Sequence, residues 1–158
     1  MNELRSTADL LEIAIRIERC LLELYKRMRD TIEHSLSRDM FDFLAAEEQV
    51  HIVMLRRFLD SCADDEDRFH LNGDKTKSQD GMVVHAMRVF NRLPEVTTTD
   101  HLTDALGIGI ELETESIFYF TELGEMFLGE QNDLITRIRD DEKSHLLKLV
   151  ALMKRTMA

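Results

Sequence analysis

Glu48-Gln-Val-His51 and Glu142-Lys-Ser-His145 each set a carboxylate and an imidazole three residues apart. On a helix that spacing puts both side chains on one face, about a turn from each other. One carboxylate oxygen and one imidazole nitrogen then reach the same metal ion, and two such steps in one small chain point to two metals side by side. The bare pattern is weak. With sixteen Glu and six His in the chain, chance supplies roughly 0.6 such steps, so their weight comes from where they sit.

The elements that must carry them are helical. The chain has 158 residues, 44% of them hydrophobic, with one Pro, six Gly and no Trp. That length suits one domain, spanning 1–158, with a single core, and so few helix breakers permit long helices. Apolar residues recur at helical spacing over four stretches. The first runs from Thr7 to Leu36, with Ser6 or Thr7 as its cap and a break at Ser37. The second runs from Arg38 to Cys62. A polar connection follows from Ala63 to Gly81, then a short helix from Met82 to Leu93, ended by Pro94. Thr97–Thr99 offers a cap for the third long helix, Asp100 to Leu128. A tight turn at Gly129–Asn132 leads to the fourth, Asp133 to Met157. Short links join antiparallel neighbours, whereas the long link, about 63–98, lets the third long helix run parallel to the second. The expected fold class is all-α, a ferritin-like four-helix bundle with one long crossover between its second and third long helices.

Each long helix carries a Glu inside its apolar stripe. Glu18 lies among Ala14, Ile15, Leu21, Leu22 and Tyr25; Glu48 among Phe41, Leu44, Ala45, Ile52 and Leu55. Glu113 lies among Leu106, Ile110, Ile117 and Phe120; Glu142 among Ile135, Ile138, Leu146 and Leu149. Glu23, flanked by Arg19 and Arg27, is by contrast an ordinary surface residue. An unpaired buried carboxylate costs several kcal/mol, so four of them must be protonated, paired or metal-bound. Arg139 is near Glu142, but the stripes carry too few cations to pair all four. Two divalent ions would balance four carboxylates and two neutral imidazoles. Glu18 precedes Glu48 by 30 residues and Glu113 precedes Glu142 by 29, so the chain reads as a diverged duplication of a helical hairpin. Glu47 is a rival to Glu48, which the spacing to His51 favours; Glu111 and Glu115 are rivals to Glu113 that read more as the solvated face, with Glu115 also able to stand behind a ligand. Tyr25, two turns from Glu18, would hydrogen-bond a ligand, quench a radical or simply fill the core; Phe120 holds its place in the second half. His34, His70, His85 and His101 have no partner at ligand spacing and read as surface or crossover residues.

This ligand set is the template of di-iron and di-manganese carboxylate bundles. The chain also resembles the rubrerythrin-like branch of that superfamily, through Leu11–Glu18, Phe43–His51, Ile110–Ile117 and Arg139–His145. The resemblance implies that Glu18 and Glu113 are terminal ligands, that Glu48 and Glu142 bridge the metals, and that His51 and His145 each complete one. It implies two iron ions, with manganese or zinc as substitutes. The implied reaction is Fe(II) oxidation coupled to O2 or H2O2 reduction, a ferroxidase- or peroxidase-type oxidoreductase drawing on an external electron donor. A non-catalytic iron carrier or sensor is the alternative. Relatives pair, so a homodimer is expected. Two departures stand out. Ser116 occupies the place where rubrerythrin-type peroxidases carry a further Glu, and the chain has no rubredoxin-like Cys-x-x-Cys.

Composition narrows the partners further. The net charge of -11, with no basic block, argues against nucleic acid and anionic membranes. Cys20 and Cys62 are isolated, and Cys20 reads as a small core residue. Met1–Leu11 carries Glu3, Arg5 and Asp9 and no apolar signal core. No segment approaches the roughly eighteen apolar residues of a membrane span, so the cytoplasm is the expected location.

Overall fold

The computed structural model describes residues 5–63 and 75–158, with side chains for 5–62 and 79–158. Six helices follow in order: α1 (Thr7–Thr31), α2 (Ser35–Ala63), α3 (Lys75–Asn91), α4 (Leu93–Thr98), α5 (Leu102–Glu125) and α6 (Glu130–Met157). The described residues contain no strand. Four of these helices are long and form the bundle; α3 and α4 belong to the crossover. Residues 64–74, which carry most of the expected polar connection and His70, lie outside the described residues.

Helix ends follow local chemistry and correct several expected boundaries. Ser6 caps α1: its hydroxyl accepts from the Asp9 N–H at 3.1 Å, while the Asp9 carboxylate accepts from the Ser6 N–H at 3.0 Å. The first break comes at Ile32–His34 rather than at Ser37. His34 takes the capping role there, its Nδ1 accepting from the Ser37 N–H at 3.4 Å. Arg38 donates to the carbonyls of Ile32 and Glu33 at 3.2 and 2.8 Å, satisfying groups that the end of α1 leaves open. α3 begins at Lys75, not at Met82. Pro94 does not end a helix; it stands in the first turn of α4, where a missing N–H costs nothing. The Thr97 and Thr98 hydroxyls bond back to carbonyls within α4, and His101 stands at the N-cap of α5 instead. α6 starts at Glu130, because Gly129 at φ 63° and ψ -138° makes the turn by itself.

The long helices form a ring in which α1 packs on α2 and α5, and α6 packs on α5 and α2. Ties across each seam give the directions. Glu18 meets His51 and Arg29 meets Asp42 between α1 and α2. Tyr119 donates to the Leu10 carbonyl at 2.6 Å between α5 and α1. His51 meets Asp141 between α2 and α6. Tyr25 meets Glu113 further along the α1–α5 seam and His145 meets Glu48 further along the α2–α6 seam, so in each pair residue numbers rise on one helix as they fall on the other; neighbours are antiparallel, and α2 and α5, on the diagonal, are parallel. This is the expected bundle with one long crossover between α2 and α5. α3 lies across α5 and α1, where the Arg16 guanidinium sits 4.3 Å from the centre of the Phe90 ring. At Gly109 an added Cβ would stand 3.1 Å from Leu149 and 3.5 Å from Leu24, so the glycine lets α5 approach α6 and α1 closely. No described helix is long and apolar enough to cross a membrane.

Gly129 occupies backbone space that side chains with a Cβ rarely enter. Gly129→Ala is expected to lower unfolding stability by about 1–3 kcal/mol, read as a drop in the urea midpoint at unchanged slope.

Candidate metal centre

The bundle interior is apolar except at mid-height, where one carboxylate enters from each long helix. Glu18 on α1, Glu48 on α2, Glu113 on α5 and Glu142 on α6 are all 0% exposed, and His51 and His145 are 1% exposed. The local cause is register: each Glu occupies a core position of its helix, and each His follows its Glu by three residues on the same face. All six sequence-derived residues converge there. Their ligand atoms form two groups, Glu18–Glu48–His51–Glu142 and Glu48–Glu113–Glu142–His145, each within 4.8 Å. Glu48 and Glu142 belong to both. The two imidazoles lie nearly parallel, with centroids 5.7 Å apart.

Hydrogen bonding alone does not account for this convergence. The His51 Nδ1 lies 3.0 Å from Glu18, 3.2 Å from Glu48 and 2.8 Å from Glu142. The His145 Nδ1 lies 3.1 Å from Glu48, 3.5 Å from Glu113 and 3.8 Å from Glu142. A ring nitrogen carries at most one proton and satisfies one such oxygen. Both Glu142 oxygens and Glu113 Oε2 are buried without a well-formed hydrogen bond. Orphaned carboxylate oxygens in a dry interior are costly, and a cation at each group would satisfy them. Oxygen-rich donors with one imidazole per group suit iron or manganese. The residues present therefore fit a pair of metal ions.

The electrostatics express the same strain. Burial, then the charges of Glu142 and Glu48, push Glu18 well above the usual carboxylate range. Burial and Glu142 do the same to Glu113. Burial opposes ionisation of Glu142 too, but Glu113, His145 and His51 together hold it below the ordinary range. Burial would depress both imidazoles, yet the carboxylates outweigh it: His51 is held far above its ordinary value and His145 is pushed up to about 12. Protons thus stand in for cations where no metal is bound.

Further residues sit around the cluster. The Tyr25 hydroxyl donates to Glu113 Oε1, and burial and that carboxylate keep the phenol protonated. Ser116 donates to Glu18 Oε1 at 3.5 Å. Asp141, not singled out from the sequence, lies 3.2 Å from the His51 Nε2. A carboxylate on the outer nitrogen fixes ring orientation and leaves Nδ1 facing the cluster. The signal was present in the sequence: each Glu of a Glu-x-x-His step follows another acid, giving Glu47-Glu48 and Asp141-Glu142. Glu47 is half-buried beside His51 and Asp141, outside both ligand groups.

The other rivals turn elsewhere. Glu111 is exposed and pairs with Arg92 at 3.0 Å. Glu115 does not stand behind a ligand; it bonds His85 and lies 3.4 Å from Arg88 on the crossover side. Arg139 pairs with Asp140 at 3.0 Å instead of with Glu142. His34 sits at the α1–α2 break, and His101 is exposed before α5. Cys20 and Cys62 are both buried thiols.

Comparison with known proteins bears on the fold and the family. A crystal structure from Thermotoga maritima, described as a candidate ferritin-like diiron-carboxylate protein, superposes with a TM-score of 0.71 at 21% identity, covering 99% of each chain. At that identity the likeness concerns the fold. No curated protein matches the chain. The rubrerythrin family model matches residues 9–153, which takes in most of each of the four long helices and the whole buried carboxylate–histidine cluster. The chain belongs to the rubrerythrin family.

Proposed function

We propose that the cluster holds two iron ions and that the protein oxidises Fe(II) while O2 or H2O2 is reduced. The observation that carries this reading is the pair of four-residue donor groups sharing Glu48 and Glu142. In it, Glu18 and Glu113 would each hold one ion, Glu48 and Glu142 would be shared by both, and His51 and His145 would each complete one site. Bound there, ferrous ions would supply one electron each to the oxidant. The chain's own residues do the rest. Four carboxylates offset the cationic charge, and the surrounding leucines and isoleucines keep bulk water away. Tyr25, protonated and bonded to Glu113, is placed to deliver a proton at that edge of the site. Asp141 holds the His51 ring in position from behind. With no Cys-x-x-Cys in the chain, reducing equivalents for turnover come from a separate donor. A carrier or sensor role without turnover would keep the same ligands.

Glu48→Ala and His51→Ala are each expected to lower bound iron and abolish rapid ferrous oxidation, measured by metal analysis and stopped-flow absorbance. Unchanged iron stoichiometry in both variants would overturn the ligand assignment. Stopped-flow mixing with O2 and with H2O2 separates turnover from mere storage: one oxidation event with no further cycling when a reductant is added supports the carrier reading. Tyr25→Phe is expected to leave iron content intact and slow oxidation by about a hundredfold or more, the low side of what a positioned proton donor contributes.

Metal uptake should also release protons. Glu18 and Glu113 are raised and both imidazoles retain protons without metal, and a metal ion must displace them. Raising the pH removes the competing protons, so apparent affinity should rise with pH and fall on acidification. Calorimetry in buffers of different ionisation enthalpy measures the number released; pH-independent affinity would contradict this account.

A further inference from the structure

We propose that the two ends of the cluster are unequal as cation sites: the Glu18–His51 end takes the first ion and retains it, while the Glu113–His145 end takes the second and exchanges it. The inference rests on the proposed metal pair and concerns what differs between its two donor groups. Glu48 and Glu142 belong to both groups, so they favour neither end. The difference comes from the terminal glutamates, the imidazoles and the residues behind them.

Outer charge is the strongest of three asymmetries. An additional acid precedes the Glu of each Glu-x-x-His step, Glu47 in one half and Asp141 in the other. A symmetric arrangement would put one behind each imidazole. Instead both gather at one end, where Glu47, His51 and Asp141 bring donor atoms within 4.8 Å of one another. The Asp141 carboxylate lies 3.2 Å from the His51 Nε2. Among the described residues, the acids that meet His145 all face its inner nitrogen, Nδ1, and none stands behind the ring. A carboxylate on the outer nitrogen makes an imidazole the stronger donor at its inner one. Two outer carboxylates also favour a cation at their own end by simple attraction.

Spacing and oxygen supply point the same way. The His51 Nδ1 lies 3.0, 3.2 and 2.8 Å from its three carboxylates, whereas the His145 Nδ1 lies 3.1, 3.5 and 3.8 Å from its own. Donors already gathered round one point reorganise less when they close on an ion. At the His145 end the Tyr25 phenol donates to Glu113 Oε1 and leaves Oε2 as the free oxygen. Ser116 reaches Glu18 only at 3.5 Å, so Glu18 keeps more of its charge for an ion.

Mn(II) added alone to the metal-free full chain tests the proposal. An isolated Mn(II) gives a six-line paramagnetic signal, which a close second ion removes by magnetic coupling. The wild type is expected to take two ions in two steps, the signal growing over the first and falling over the second. His145→Ala is expected to keep one ion at the wild-type first-step affinity, and His51→Ala to hold its one ion at least about tenfold more weakly. Asp141→Asn keeps the side-chain shape, removes the charge and lies outside both four-residue groups. It should weaken the first step by about ten- to a hundredfold and leave the second nearly unchanged. Helix content is followed in parallel, and Asp141→Asn decides the matter if a histidine variant fails to fold. Equal one-ion affinity in the two histidine variants, tighter binding by His51→Ala than by His145→Ala, or an unchanged first step in Asp141→Asn would each overturn the inequality while leaving a two-ion centre standing. A wild type that takes up no pair of ions would instead remove the centre itself, and the inequality with it.

Discussion

Everything in this structure answers to four carboxylates held at 0% exposure in the middle of a helical bundle. In water Glu18, Glu48, Glu113 and Glu142 would be solvated cheaply. Inside, each needs a counter-charge or a proton. The chain offers the same interior two imidazoles, His51 and His145, and no lysine or arginine reaches the cluster among the described contacts. The result is a set of protons and charges shared over six side chains, with three carboxylate oxygens left without a well-directed partner. Such an interior is poorly arranged for stability alone and well arranged for cations.

That requirement explains the fold more directly than the leucines do. One donor must come from each of four helices, so all four must reach mid-height at the same level. An antiparallel ring does this with two short turns and one long crossover. Gly109 lets α5 come close to α6 and α1, and the Tyr119 bond to the Leu10 carbonyl ties α5 to the start of α1. The two halves of the cluster repeat one donor set, yet their surroundings differ. Tyr25 reaches Glu113 from the first half, while Phe120 occupies the corresponding place in the second and offers no hydroxyl. Asp141 braces His51. A symmetric donor set therefore sits in an asymmetric environment, with a phenol at one end and a carboxylate brace at the other.

Some departures from sequence-based expectation share one cause. Serine, threonine and proline were read by their average habits at helix ends, but local geometry assigned those ends otherwise. His34 caps α2 where Ser37 was expected to break the chain. Pro94 opens α4 instead of closing α3, and Thr97 and Thr98 turn their hydroxyls inward to their own helix. Capping depends on which carbonyls and amides remain open after packing, and several residues nearby are chemically able to fill them. Acidic side chains behaved likewise. Glu115 was expected to face solvent or stand behind a ligand, yet its partners are His85 and Arg88, which belong to a crossover helix whose placement no local pattern conveys.

The sequence by itself determined the helical class, the number of long helices, the duplicated spacing and the six residues of the cluster. Each of these follows from periodicity, which is local: a Glu three residues before a His shares its face in any helix, and a carboxylate in an apolar stripe is misplaced in any fold. Only the tertiary structure decided which donors meet. It placed Glu48 and Glu142 in both groups, turned Tyr25 onto Glu113, set Asp141 behind His51 and left Glu47, Glu111 and Glu115 outside. Those choices depend on the relative height and rotation of helices far apart in the chain. Packing against three neighbours sets them, and no spacing along one helix records them.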